Sequence, residues 1–225
     1  MEENLEHRWN KKRNSVYTLR ENLNRLKSKV YKDLKSENEK QKLIATIIRI
    51  MINTSERVGN KKSSENGHFG VSQFRNKHLK VSGSLIELDY KGKSGVDHSK
   101  VFKDKTVADI IAEKKKQRNM YLFTTSDGLR ISPEMVNNYL SEFDITSKDI
   151  RGFNANRFVL SELIKVQPVT DEKERKKVFN QVLNKISEKI GHTKATLRKQ
   201  YLLPEIEESF YKTGKINKRI NNKII

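Results

Sequence analysis

Hydrophobic positions near the start of the chain recur at three- and four-residue steps. Val16, Leu19, Leu23, Leu26, Val30 and Leu34 fall on one stripe with lysines and arginines opposite, which predicts a long amphipathic helix. Leu43, Ile44, Ile47, Ile48 and Met51 mark a second helix over about 39–53, running into Glu56-Arg57-Val58-Gly59-Asn60, where Gly59 reads as the stop. Residues 61–70 are polar and rich in Gly, Ser and Asn, hence a loop. The period then changes from helical to alternating. Residues 79–82, 85–90 and 96–102 read as short strands joined by turns at Ser82-Gly83-Ser84 and Lys91-Gly92-Lys93-Ser94-Gly95. Helical patterning resumes over about 106–117. Ser132-Pro133 starts another helix, with Ser as cap and Pro in the first turn. Thr146 opens the next, Val178, Val182, Leu183, Ile186 and Ile190 mark one more, and a helical segment through Tyr201 stops at Pro204. The fold class is therefore α+β: mostly helical, with one small three-stranded antiparallel sheet inserted at about 78–103. Residues 1–14 read as a polar leading segment, 15–211 as the main domain, and 212–225 as a basic, Asn-rich tail with little to bury.

Charge narrows the partners. The 225 residues carry a formal net charge of +19. A solvated basic surface of that size points to nucleic acid. No apolar run approaches the roughly 18 residues that span a bilayer. Residues 1–14 lack the apolar stretch of a secretory signal, so the expected location is the cytoplasm or wherever the nucleic-acid partner resides (nucleoid, viral factory or virion). There are no cysteines, which excludes disulfides and thiolate zinc sites, and the five histidines show no HExxH-type spacing. No metal, cofactor, membrane or small-molecule substrate is expected, and the chain is expected to act as a monomer.

The candidate chemistry sits near the C-terminus, in Ile190-Gly191-His192-Thr193-Lys194-Ala195-Thr196-Leu197-Arg198-Lys199-Gln200-Tyr201. Tyrosine, with an ordinary pKa of about 10, attacks a phosphodiester only where neighbouring cations absorb the charge of the transition state. The cations are present in order along the chain: Arg57 in Arg57-Val58-Gly59-Asn60, Lys93 in Tyr90-Lys91-Gly92-Lys93-Ser94-Gly95-Val96, Arg151 in Lys148-Asp149-Ile150-Arg151-Gly152-Phe153-Asn154-Ala155-Asn156, and His192.

In these five segments the sequence resembles the catalytic domain of type IB DNA topoisomerases, particularly the compact poxvirus-like and bacterial forms, over about residues 15–210. The resemblance implies a fold of the tyrosine recombinase and topoisomerase IB type. It implies double-stranded DNA as the partner, with supercoils relaxed through a transient 3′-phosphotyrosyl bond and religation, without ATP or metal. Residue by residue, it implies that Tyr201 is the nucleophile and that Arg57 and Arg151 bind the scissile phosphate. His192 would hydrogen-bond a non-bridging oxygen, and Lys93 would protonate the leaving 5′ oxygen, with Lys91 a competitor two residues away. Lys148 and Asn156 match supporting polar positions. Two arginines and a histidine donor are a physically sound substitute for metal ions, because a planar guanidinium binds two phosphate oxygens at once. A lysine close to other cations gives up its proton more readily, which suits an acid.

The sequence departs from the family where Arg-Thr-Trp or Arg-Thr-Tyr is usual and this chain has Arg151-Gly152-Phe153. Compact members also carry a β-rich domain ahead of the catalytic one, whereas about 15 residues precede the first predicted helix here. Two alternatives share the fold. A tyrosine recombinase or integrase would use the same nucleophile, but usually has His-x-x-Arg where this chain has Lys148-x-x-Arg151. A catalytically silent DNA-binding protein would leave the five positions idle. Phosphate contacts outside the catalytic set are expected from Lys61, Lys62, Arg75, Lys77, His78 and Lys80.

Overall fold

A computed structural model describes residues 2–225, apart from the side chains of residues 2–5 and Ser94. The chain divides into two compact units. One consists of the chain up to Asn22 together with Lys148–Ile225, and the other of Leu23–Ser147. Helix α1, Glu2–Asp33, supplies residues to both.

In the first unit, α1 is joined by α6 (Ser147–Leu163), α7 (Glu172–Ile190), the short α8 (Lys194–Thr196), α9 (Pro204–Thr213) and α10 (Lys218–Ile224). Its core contains Val16, Leu19, Val159, Leu160, Phe179, Leu183, Ile186, Leu197, Ile206 and Phe210, all buried. The Phe179 ring packs 5.9 Å from Phe210 and edge-on to Tyr211 at 5.2 Å. Two sequence expectations change here. Residues 2–14 continue α1 instead of standing outside it, and the basic tail carries α10, whose Ile224 is fully buried. The apolar stripe begins at Val16, so the polar first turns of α1 gave no periodic signal. A single buried isoleucine in a basic tail gives none either.

In the second unit, α2 (Glu39–Thr54) is central. Nearly every residue from Leu43 to Thr54 is buried, against α4 (Lys105–Lys116), α5 (Pro133–Ser141) and the sheet. Strands β1 (Leu79–Ser82), β2 (Leu85–Lys91) and β3 (Asp97–Lys103) form an antiparallel meander in sequence order. In β2 the alternation is strict: Ile86, Leu88 and Tyr90 point inward while Glu87, Asp89 and Lys91 face out. The expected loop at 61–70 contains a one-turn helix, α3 (Lys61–Glu65), capped by the Asn60 side chain accepting from Ser63 N–H at 2.8 Å. Helix α2 ends five residues before the predicted Gly59. Ser55 takes the left-handed conformation at φ 61° and donates its N–H to Met51 O at 2.8 Å.

Candidate active site

The C-terminus of α7 sets up the first cluster, in the unit that holds α6 and α7. Gly191 adopts φ 68°, its N–H donates to Glu188 O at 3.1 Å, and His192 N–H donates to Ser187 O at 2.8 Å. This left-handed cap ends the helix sharply and makes His192 the first residue beyond it. Thr193, not His192, caps the following turn, with its hydroxyl accepting from Thr196 N–H at 3.1 Å. The backbone then widens into a π-type turn over Leu197–Tyr201, a geometry frequent at functional sites. Tyr201 is its last residue and is half-buried.

Three of the expected residues meet there. The His192 and Tyr201 rings lie 5.0 Å apart at 37°. Arg151, on α6 and only 2% exposed, donates from Nε to His192 Nε2 at 3.0 Å and from Nη2 to Ile190 O. A neutral imidazole that accepts at Nε2 carries its proton on Nδ1.

Asn156, five residues along α6, fixes the chain on both sides of Leu202. Its Nδ2 donates to Tyr201 O at 2.9 Å and to Gly152 O at 2.8 Å, while its Oδ1 accepts from Leu203 N–H at 2.8 Å. A single helix thus carries both the arginine and the clamp on the tyrosine's backbone. Gly152, where the family usually has threonine, faces the tyrosine ring. A Cβ there would lie 3.7 Å from Tyr201 Cδ1, an ordinary contact. Lys148 is exposed at the start of α6.

Helix α1 braces this cluster, which the sequence reading missed. Lys12 Nζ donates to Lys199 O at 2.5 Å, two residues before the tyrosine. Burial, then the charges of Arg8 and Lys148, lower the Lys12 pKa. Arg13 and Tyr17 both donate to Glu205 Oε1, at 2.9 and 3.1 Å, and hold the first turn of α9. Pro204, expected only to stop a helix, is also the first residue of that one. Isolated polar anchors have no periodicity, so the sequence carries no signal for them.

Arg57 and Lys93 belong to the other unit. Beyond α2, residues Arg57 and Val58 pair with the segment that follows Gly70. Val71 N–H donates to Arg57 O at 2.8 Å, and Ser72 N–H to Val58 O at 3.0 Å. The two strands of backbone cross closely at a pair of glycines, since a Cβ on Gly70 would lie 2.3 Å from Gly59 N. Lys93 is exposed on the β2–β3 turn, which is closed by Gly92 N–H donating to Val96 O at 2.8 Å and Gly95 N–H to Gly92 O at 3.1 Å. Lys91 lies in the ladder opposite Asp97, and its carbonyl accepts from Phe69 N–H at 2.8 Å. Lys93 is therefore the one on the projecting turn.

The expected phosphate contacts separate into kinds. Lys61, Lys62, Lys77 and Lys80 are exposed. The Arg75 guanidinium lies over the Phe69 and Tyr121 rings at 5.2 and 5.6 Å. His78 differs from the lysines: it is buried, its ring packs 4.4 Å from Phe69 and 5.9 Å from Phe74, and its Nδ1 accepts from Arg75 N–H at 3.0 Å. Burial, then the charges of Lys77 and Arg75, push its pKa down to about 4, so at neutral pH it brings no charge to a phosphate.

The sequence pattern of the family described as "Eukaryotic DNA topoisomerase I, catalytic core" matches residues 5–224. "DNA topoisomerase 1B" of Acanthamoeba polyphaga mimivirus is 27% identical over 179 residues, covering 73% of this chain and 53% of the viral protein, so the chain spans about half the length of that relative. Crystal structures of the XerH site-specific recombinase superpose with low sequence identity. The pre-cleavage complex with difH substrate gives a TM-score of 0.50 at 15% identity over 80% of this chain and 48% of the recombinase. The post-cleavage complex with palindromic difH gives 0.51 at 15% over 79% and 46%. At that identity the likeness concerns the fold, a mostly helical domain with a three-stranded sheet. A match running from residue 5 to 224 takes in all five segments that carry the candidate chemistry, and the chain belongs to the type IB DNA topoisomerase family, in the part corresponding to the catalytic core.

Proposed function

We propose that this chain relaxes supercoiled duplex DNA by cutting and rejoining one strand through Tyr201. The observation that carries the reading is the packing of the Tyr201 ring on His192, with Arg151 bonded to that histidine and Asn156 holding the tyrosine's backbone. In cleavage the Tyr201 oxygen loses its proton to solvent and attacks phosphorus. A P–O(Tyr) bond forms as the P–O5′ bond breaks, and the departing 5′ oxygen takes a proton from Lys93. Arg57, Arg151 and His192 are assigned to the non-bridging oxygens, where removing one such donor typically costs about 2.7–4 kcal/mol in the transition state. Because the phosphotyrosyl link keeps the energy of the broken bond, the reverse attack by the 5′ hydroxyl reseals the strand with no other energy source.

The test is relaxation of a supercoiled plasmid that lacks paired recombination sites, combined with detergent trapping of the protein–DNA adduct and peptide mapping. The expected result is relaxation without ATP and a 3′ DNA end on Tyr201. Tyr201→Phe should bind DNA yet give neither relaxation nor adduct. Adducts that persist in that variant, or an attachment mapped to another tyrosine, would overturn the assignment. Activity confined to paired sites would move the chain to the recombinases.

A further inference from the structure

Glu56 immediately precedes Arg57, and its side chain is fully buried. A buried carboxylate is costly unless it is paired and hydrogen-bonded, and here three side chains converge on it. The Tyr90 hydroxyl donates to Oε2. His98 Nδ1 lies 3.1 Å from Oε1, and Lys100 Nζ lies 2.5 Å from the same oxygen. Lys100 also donates to Thr54 O at 2.9 Å, in the last turn of α2. Tyr90 and His98 are direct cross-strand partners at the end of the β2–β3 ladder, with rings stacked 5.0 Å apart at 24°. They flank the turn that carries Lys93. The turn also rests on the histidine, since a Cβ on Gly92 would lie 2.7 Å from His98 Nε2. Burial alone would raise the Glu56 pKa, but the hydrogen bond from His98 and the charge of Lys100 outweigh it and hold it down to about 2. The carboxylate is thus ionised at working pH, when it binds its donors most strongly.

We propose that Glu56 is a positioning residue that fastens both legs of the Lys93 hairpin to the Arg57 segment, so that proton delivery to the leaving oxygen depends on it. This rests on the reading of Lys93 as the general acid of DNA cleavage. Glu56 touches no DNA atom in that scheme and acts through Tyr90 and His98. A hairpin held only by its ladder would leave a long lysine side chain sampling many positions. A network of charge-assisted bonds at its base reduces that freedom.

A leaving group that needs no acid separates this role from general destabilisation. A duplex is made with the 5′ bridging oxygen of one mapped cleavage site replaced by sulfur. A thiol has a pKa of about 8.5, far below an alcohol's, so the thiolate departs without a proton. Single-turnover cleavage is measured on both duplexes for wild type, Glu56→Gln, Tyr90→Phe and Lys93→Ala. Glu56→Gln is expected to slow the ordinary duplex by about tenfold or more, within the range of a general acid's contribution. The sulfur duplex should restore its rate to near wild type, as it should for Lys93→Ala. Tyr90→Phe, which removes one donor and keeps the ring, should show the same pattern in smaller degree, and it decides the matter if Glu56→Gln does not fold. Equal slowing on both duplexes, or no slowing on either, overturns the proposal. A wild-type protein that forms no adduct with either duplex instead refutes the parent reading of the chain as a DNA-cleaving enzyme, and the proposal with it.

Discussion

At the scale of single residues, Asn156 fixes the backbone around Tyr201, the proposed nucleophile. Asn156 uses both amide protons and its oxygen on Gly152, Tyr201 and Leu203. Asn156→Ala leaves the Leu203 N–H and Tyr201 carbonyl without their partner, which costs about 1–3 kcal/mol per buried group. The expected outcome is a lower denaturation midpoint and slower adduct formation with unchanged DNA affinity. Glu56 gives a pH signature. Its folded pKa, about 2, is depressed below the ordinary value of 4.5, so the unfolded chain binds the proton more readily. The stabilisation, about 3 kcal/mol by linkage, is present above pH 4.5 and lost as pH falls from there towards 2. Glu56→Gln should flatten the stability curve in that window, as read by denaturant titration at several pH values. The residues on which these expectations rest were unequally legible. Tyr201, His192 and Arg151 stood in recognisable segments. Glu56 carried no signal of its own, because partners 34 and 42 residues away leave no local pattern.

At the scale of elements, the C-terminus of α7 decides where His192 points. Gly191 occupies the left-handed region at φ 68°, where a Cβ costs about 1–2 kcal/mol. Gly191→Ala should therefore destabilise the protein by about that amount and shift the imidazole, lowering the cleavage rate more than DNA binding. Gly70→Ala should be worse, since its Cβ would meet backbone atoms of Gly59 at 2.3 and 2.4 Å. Backbone cannot rotate away, so loss of the folded state on thermal melting is the expected result. Helices α2 and α4 and the three strands were predicted within a residue or so of their bounds, whereas α1 and α7 begin well before the first apolar position that marked them. Local features were less readable. The π-type turn at Tyr201 read as ordinary helix, and Ser55 ended α2 in place of the predicted Gly59. Both depend on which backbone groups find partners in the folded chain.

At the scale of the whole molecule, the net charge of +19 dominates. If several exposed lysines contact phosphates, each contact releases counterions. Affinity for duplex DNA should then fall about a thousandfold or more between about 50 and 200 mM salt, largely independent of sequence. A shallow dependence in fluorescence-anisotropy titrations would count against an electrostatic footprint. Composition, period and the order of the five segments were local properties, so the sequence alone determined the α+β class, the basic character and the family resemblance. Tertiary structure decided the rest. It showed that residues 2–14 belong to α1 and that Lys12 and Arg13 brace the segment around Tyr201. It showed His78 buried against Phe69 and Phe74. It also showed that the carboxylate beside Arg57 is tied to the hairpin of Lys93. Each of these depends on burial and on partners distant in the chain. Desolvation and hydrogen bonding take their values from three-dimensional surroundings that no window of sequence contains.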